Sequence, residues 1–193
     1  RGEFEVPMAI QDRSFHPDGR LKYPEMWHDH FFGDFLLVNG KVWPYLDVKQ
    51  GKYRFRLLNG SGSRVYTLAL SNGATFWQIG SDTGLLSSPA ALTSLTIMPG
   101  GRCDVVMGFA TSPSGTEIVL TNSAVSPFPT GGMGPDIPNV MKFVVIGEPG
   151  HTDPLPPALV PVPRIPESDA VVHRDFVLRK IPSTHCAHSG DMW

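Results

Sequence analysis

The chain has 193 residues and a formal net charge of −2, with 41% hydrophobic and 18% charged residues. This balance excludes an intrinsically disordered chain and leaves no electrostatic footprint for nucleic acid or an anionic lipid surface. No run of about 18 apolar residues is present that could cross a membrane as a helix.

Gly 20 and Pro 19 lie well above average usage and rule out a helical bundle or coiled coil. The length is that of one domain with attached pieces, enough to bury a core. Charge is low for a free-standing surface and suits one packed against neighbours. Together with the start at Arg1, this leads to the expectation of a piece of a longer polypeptide.

Short strands are predicted in chain order. Met8–Gln11, Phe35–Val38 and Val42–Tyr45 come first. Next, Tyr53-Arg54-Phe55-Arg56-Leu57-Leu58 alternates, with Tyr53, Phe55 and Leu57 on one face and both arginines on the other. Val65–Leu70 is rich in β formers and stops at the hairpin-type turn Ser71-Asn72-Gly73. Phe76–Ile79 and Leu95–Met98 follow, the latter ended by Pro99-Gly100-Gly101. Cys103–Phe109, Glu117–Asn122 and Val140–Ile146 complete the series. The spacing of turn signals predicts an all-β sandwich or small barrel, and no helix-period stripe supports a βαβ fold. Seven prolines between Pro149 and Pro166 predict an extended, semi-rigid connection. Beyond it, Val171–Leu178 reads as one more strand.

His28-Asp29-His30 is the first chemical candidate. Two histidines two apart on a strand point to one side and make half a metal site. The sequence pairs no third ligand with them. They stand as weak, opportunistic metal ligands beside the plainer reading of exposed imidazoles in a loop.

His185-Cys186-Ala187-His188 with Met192 has the ligand types of a blue-copper site, but crowded into one terminal segment. Cys103 has no histidine after it before His151 and reads as a buried, inert thiol. Gly60-Ser61-Gly62-Ser63 is a turn without the lysine of a phosphate loop. Arg54 and Arg56 suit a solvent or interdomain face. No catalytic residue is expected in the chain.

Four blocks then carry a resemblance: Val38-Asn39-Gly40-Lys41-Val42-Trp43-Pro44-Tyr45-Leu46-Asp47-Val48; Lys52–Ser61 with Arg64 and Tyr66; Gln78–Leu86; and Met98–Val106. Their order and spacing, from Val6 to Ile146, resemble the second, middle domain of three-domain multicopper oxidases, in the group of spore-coat laccase, bilirubin oxidase and phenoxazinone synthase. The resemblance implies a cupredoxin-like Greek-key β-barrel over residues 1–148, a Pro-rich interdomain linker over 149–170, and the incomplete start of a third cupredoxin domain over 171–193.

It also implies a parent oxidoreductase that oxidises phenols or aromatic amines at a type 1 copper and reduces dioxygen to water at a trinuclear cluster. The ligands of both centres lie in the first and third domains. The middle domain separates and orients those two, its partners, and holds no copper. No copper ligand is carried onto this chain, which is expected to be inactive alone, and whose exposed interdomain faces invite self-association. A soluble parent, secreted or periplasmic, is the expectation, with the compartment left open. A stand-alone copper-binding or electron-transfer cupredoxin module is the alternative, and an adhesion or ligand-binding sandwich the third reading.

Overall fold

The computed structural model describes residues 2–25, 29–179, 181–182 and 191–192. In chain order the barrel strands are β1 (Glu5–Phe15), β2 (Leu21–Lys22), β3 (Phe35–Val38), β4 (Lys41–Val42), β5 (Tyr45–Gln50), β6 (Lys52–Asn59) and β7 (Tyr66–Leu70). They continue with β8 (Phe76–Ser81), β9 (Gly84–Leu92), β10 (Leu95–Ile97), β11 (Arg102–Gly108), β12 (Glu117–Asn122) and β13 (Asn139–Pro149). Two-residue strands β14 (Ile181–Pro182) and β15 (Asp191–Met192) pair with each other. The helical content among the described residues is a single 3-10 turn, Glu167–Asp169.

One sheet has the order β4-β3-β1-β6-β11-β8-β9, with β2 on β1; the other is β10-β7-β12-β13-β5. Pairs β1–β6 and β13–β5 are parallel, and the other barrel ladders are antiparallel. Sequence neighbours repeatedly sit in different sheets, so the chain crosses the sandwich as a Greek key does.

The core lies between the sheets. Met8 and Ile10 of β1, Phe55 and Leu57 of β6, and Val105 and Met107 of β11 face Tyr66 and Leu68 of β7, Ile118 and Leu120 of β12, and Phe143 and Val145 of β13. Phe143 ties the layers together, with its ring centroid 5.3 Å from that of Phe55 and 5.2 Å from that of Phe109. Each such side chain contributes about 1.5–3 kcal/mol of burial free energy. The alternation expected at Tyr53–Leu58 is present: Tyr53, Phe55 and Leu57 are buried, and Arg54 and Arg56 face outward.

Three strand expectations change. Val42–Tyr45 is not one strand. Trp43 has φ 39° and Pro44 has no N–H, so the ladder breaks there and the chain passes from the first sheet (β4) to the second (β5). Strand β9 carries no strand-like composition and includes Pro89; it sits at a sheet edge, paired only with β8, where a missing donor is tolerated. Val171–Leu178 forms no strand: its backbone has no ladder partner, and Val171 and Leu178 are 96% and 100% exposed. An apolar alternating run becomes a strand only where a neighbour accepts its hydrogen bonds.

Candidate functional site

The histidines among the described residues do not converge. His28 lies outside the described residues, as do His185, Cys186 and His188. His30 is exposed, its ring stacked on Phe32 at 5.8 Å. His151 packs against Phe4 with centroids 6.1 Å apart, and His16 and His173 are exposed on separate segments. Among the described residues, no three His, Cys, Asp or Glu side chains come together in a way that could hold a metal ion, so the donor set described does not fit a copper centre. Cys103 is half-buried with Gln78 Nε2 3.7 Å from its Sγ. Burial, helped by Asp82 and Asp104, pushes its thiol up from the ordinary range, as befits an unreactive thiol.

The most elaborate polar arrangement is a buried ion pair closing one end of the barrel. In β1 the inward positions are Met8, Ile10, Asp12 and Ser14, so a carboxylate continues a row of core hydrophobes. A charge there needs a partner. Arg64, between β6 and β7, supplies it: both residues are 0% exposed, and Arg64 Nε donates to Asp12 Oδ2 at 2.9 Å. The remaining guanidinium donors reach Ser126 Oγ at 2.7 Å, the Pro135 carbonyl at 2.9 Å and the Gly33 carbonyl at 3.1 Å. Asp12 Oδ2 also accepts from Gly33 N at 2.8 Å, and Asp12 N donates to Ser61 Oγ at 3.1 Å. Ser61 Oγ shares a 2.8 Å hydrogen bond with the Tyr66 hydroxyl. Burial pushes the Tyr66 phenol well above the ordinary tyrosine range. Asp12 Oδ1 has no protein partner.

This plug fastens three connections: residues 29–34 through Gly33, 60–65 through Ser61 and Arg64, and 123–138 through Ser126 and Pro135. Gly33 has to be glycine, because a Cβ there would lie 2.4 Å from the Arg13 amide nitrogen. The guanidinium also stands 5.4 Å from the Phe32 ring centroid, a cation–π contact. The same Phe32 ring stacks with His30. The 123–138 connection includes cis bonds at Ser126–Pro127 and Phe128–Pro129 and presents Phe128 and Met133 to solvent. The sequence marked Arg64 and Tyr66 only by resemblance and missed Asp12. The signal was available, since Asp12 shares the parity of Met8 and Ile10.

The outer face of the first sheet carries a second charged group. Arg54 pairs with Asp104, Arg56 Nε lies 3.0 Å from Glu5 Oε1, and Arg102 Nε lies 3.1 Å from Asp82 Oδ1. Arg102 holds the Asp82 carboxyl below its ordinary value. Arg54, Arg56, Arg102, Asp82 and Asp104 line an open cleft of about 440 Å³. The charges are mutually compensated, so the cleft has no surplus with which to hold an ion.

No protein-family model matches the chain. Among curated proteins, multicopper oxidase LPR1 of Arabidopsis thaliana is 37% identical over 205 residues, covering 97% of this chain and 35% of that protein. A laccase of Bacillus subtilis is 41% identical over 160 residues, covering 74% of this chain and 30% of that protein. The crystal structure of McoA multicopper oxidase from the hyperthermophile Aquifex aeolicus matches 88% of this chain with TM-score 0.78 and 35% identity, and 37% of that chain is covered. The chain thus spans 30–37% of the length of these relatives. The two-sheet barrel, the order of the sequence blocks along it and these likenesses agree: the chain belongs to the multicopper oxidase family, and its fold is the cupredoxin-like barrel.

Proposed function

We propose that this chain is the structural middle domain of a three-domain, laccase-like multicopper oxidase. The whole enzyme oxidises phenols or aromatic amines and reduces dioxygen to water. Residues 1–148 form the middle barrel, 149–170 the connection, and 171–193 the opening of the third domain. The barrel holds no copper, orients the first and third domains, and is inactive alone.

One observation carries the copper-free reading. The imidazoles with described surroundings are dispersed or stacked on phenylalanine, and the one thiol so described, Cys103, has an amide neighbour. The outward Arg54–Asp104 and Arg56–Glu5 pairs suit a face that meets another polar surface. Exposed Trp43, Tyr45 and Met98 support self-association of the isolated chain. Light scattering that gives the monomer mass at high concentration overturns that last point. Among the described residues no helix is long and apolar enough to cross a membrane.

The test is Cu(II) addition to the purified chain, with visible spectra, bound-metal analysis and a laccase-substrate assay. The expected result is no intense blue band and no turnover. A weakly held ion at His28 and His30 is compatible with the reading. A stoichiometric blue copper overturns it in favour of a stand-alone copper or electron-transfer module.

A further inference from the structure

The Pro-rich stretch does not behave as one piece. Its first part lies on the barrel. Gly150 N donates to the Gln50 carbonyl at 3.0 Å, and Lys52 N donates to the His151 carbonyl at 2.6 Å. Lys52 Nζ turns onto the same segment and donates to the carbonyls of Thr152 at 2.8 Å and Asp153 at 3.0 Å. From there the chain runs past Trp77 and Pro89 to the sheet edge, where Leu159 N donates to the Ser87 carbonyl of β9 at 2.8 Å. Leu155, Leu159 and Val160 are partly buried, whereas every residue from Pro161 to Arg179 is exposed.

The contact at the near end is built for close approach. A Cβ on Gly51 would lie 2.4 Å from His151 N, and one on Gly150 would lie 2.9 Å from Gly51 Cα. Two facing glycines let the strap's backbone touch that of the β5–β6 turn.

We propose that residues 150–159 are a fixed strap, latched by Lys52 at the start of β6 and pinned by Leu159 to the edge of β9. The free connection then begins after Val160, and Lys52 is its positioning residue. The strap carries the chain's exit point from the end of β13, in the second sheet, across to the β9 edge of the first sheet. It also occupies part of an otherwise open edge, which sheet proteins protect against stray pairing. The chain beyond Val160 is tethered beside β9 rather than swinging from β13. The strap stands on this geometry alone; that its exit point positions a third domain rests on the proposed function.

Amide hydrogen exchange on the 193-residue chain tests this. In the unaltered protein the Leu159 amide exchanges much more slowly than the amides of residues 171–179. Lys52→Met, which removes two charge-assisted donors, speeds Leu159 exchange by about tenfold, while Lys52→Arg restores most of the protection. The Ala170 amide, bonded within its own turn to Glu167, is unchanged, and the barrel's unfolding midpoint holds. Gly150→Ala, which drives a Cβ into Gly51, speeds Leu159 exchange in the same way and serves as an independent variant. The proposal is overturned if Leu159 in the unaltered chain exchanges as fast as residues 171–179, or if both Lys52→Met and Gly150→Ala leave its protection intact. Neither result depends on copper binding, so the strap and the proposed function can fail separately.

Discussion

Replacing Arg64 by methionine gives the sharpest test of the plug. The substitution keeps an unbranched side chain in the space but removes every donor. The Asp12 carboxylate is left with one hydrogen bond, from Gly33 N, at a position that is 0% exposed. Ser126 Oγ and the Pro135 and Gly33 carbonyls lose their guanidinium donors. Breaking a buried pair from one side costs about 3–5 kcal/mol. For a domain of this size that lowers the unfolding midpoint by about 6–20 °C. Denaturant unfolding followed by circular dichroism gives the free energy, and exchange of the Gly33 amide shows whether the loss is local. Adding Asp12→Leu removes the stranded charge, so the double variant should recover about half or more of the loss. If Arg64→Met stays within about 1 kcal/mol of the parent, or the double variant is no better than the single, the plug is not what holds the three connections together.

Three further outcomes are expected. Tyr66→Phe removes the hydroxyl shared with Ser61 and costs about 1 kcal/mol. In the parent the buried Tyr66 phenol is held neutral to higher pH than an ordinary tyrosine. The neutral form is favoured by folding, so its contribution is full below the unfolded tyrosine pKa of about 10 and is lost as pH rises through the higher folded value; an alkaline absorbance titration measures this. Trp43→Gly and Trp43→Ala both lose the contact to Phe35, but the φ of 39° favours glycine. The glycine variant should therefore be the more stable by about 1 kcal/mol in urea unfolding, and equality would remove the backbone argument. Cys103 should alkylate more slowly in the folded than in the unfolded chain at neutral pH, because its raised thiol is protonated. Its stabilising contribution is full below the unfolded thiol pKa and lost as pH rises through the folded one; mass mapping of the labelled peptide decides it.

The strands that pack on both sides of the core were legible because burial imposes a period of two on them, as at Tyr53–Leu58 and Glu117–Asn122. Strand β9 was not, because an edge strand needs only one partner and can accept Pro89 and paired serines that no central strand would keep. Val171–Leu178 misled in the opposite direction, since its composition is that of a strand and its surroundings supply no ladder. The plug was half legible. Arg64 stands in a turn-rich stretch where a charge is unremarked, and its burial is created by Asp12 from 52 positions away. A local pattern can expose an inward carboxylate but cannot name the arginine that answers it.

The low charge of the chain takes on a physical meaning from where its charges sit. Arg64 and Asp12 are spent inside; Arg54, Arg56, Arg102, Glu5, Asp82 and Asp104 compensate one another on one sheet face. Lys49 is held between Glu3 and Glu148, which keep its ammonium protonated above the ordinary lysine range. Lys52 is committed to the strap. Glu3 lies before β1, Lys49 in β5 and Glu148 near the end of β13, so that triad gathers the entering chain, one edge strand and the departing strand at one corner. Lys52, three residues on from Lys49, takes over the departing chain. Under the proposed function, this grouping holds the incoming and outgoing chain of the barrel at defined points.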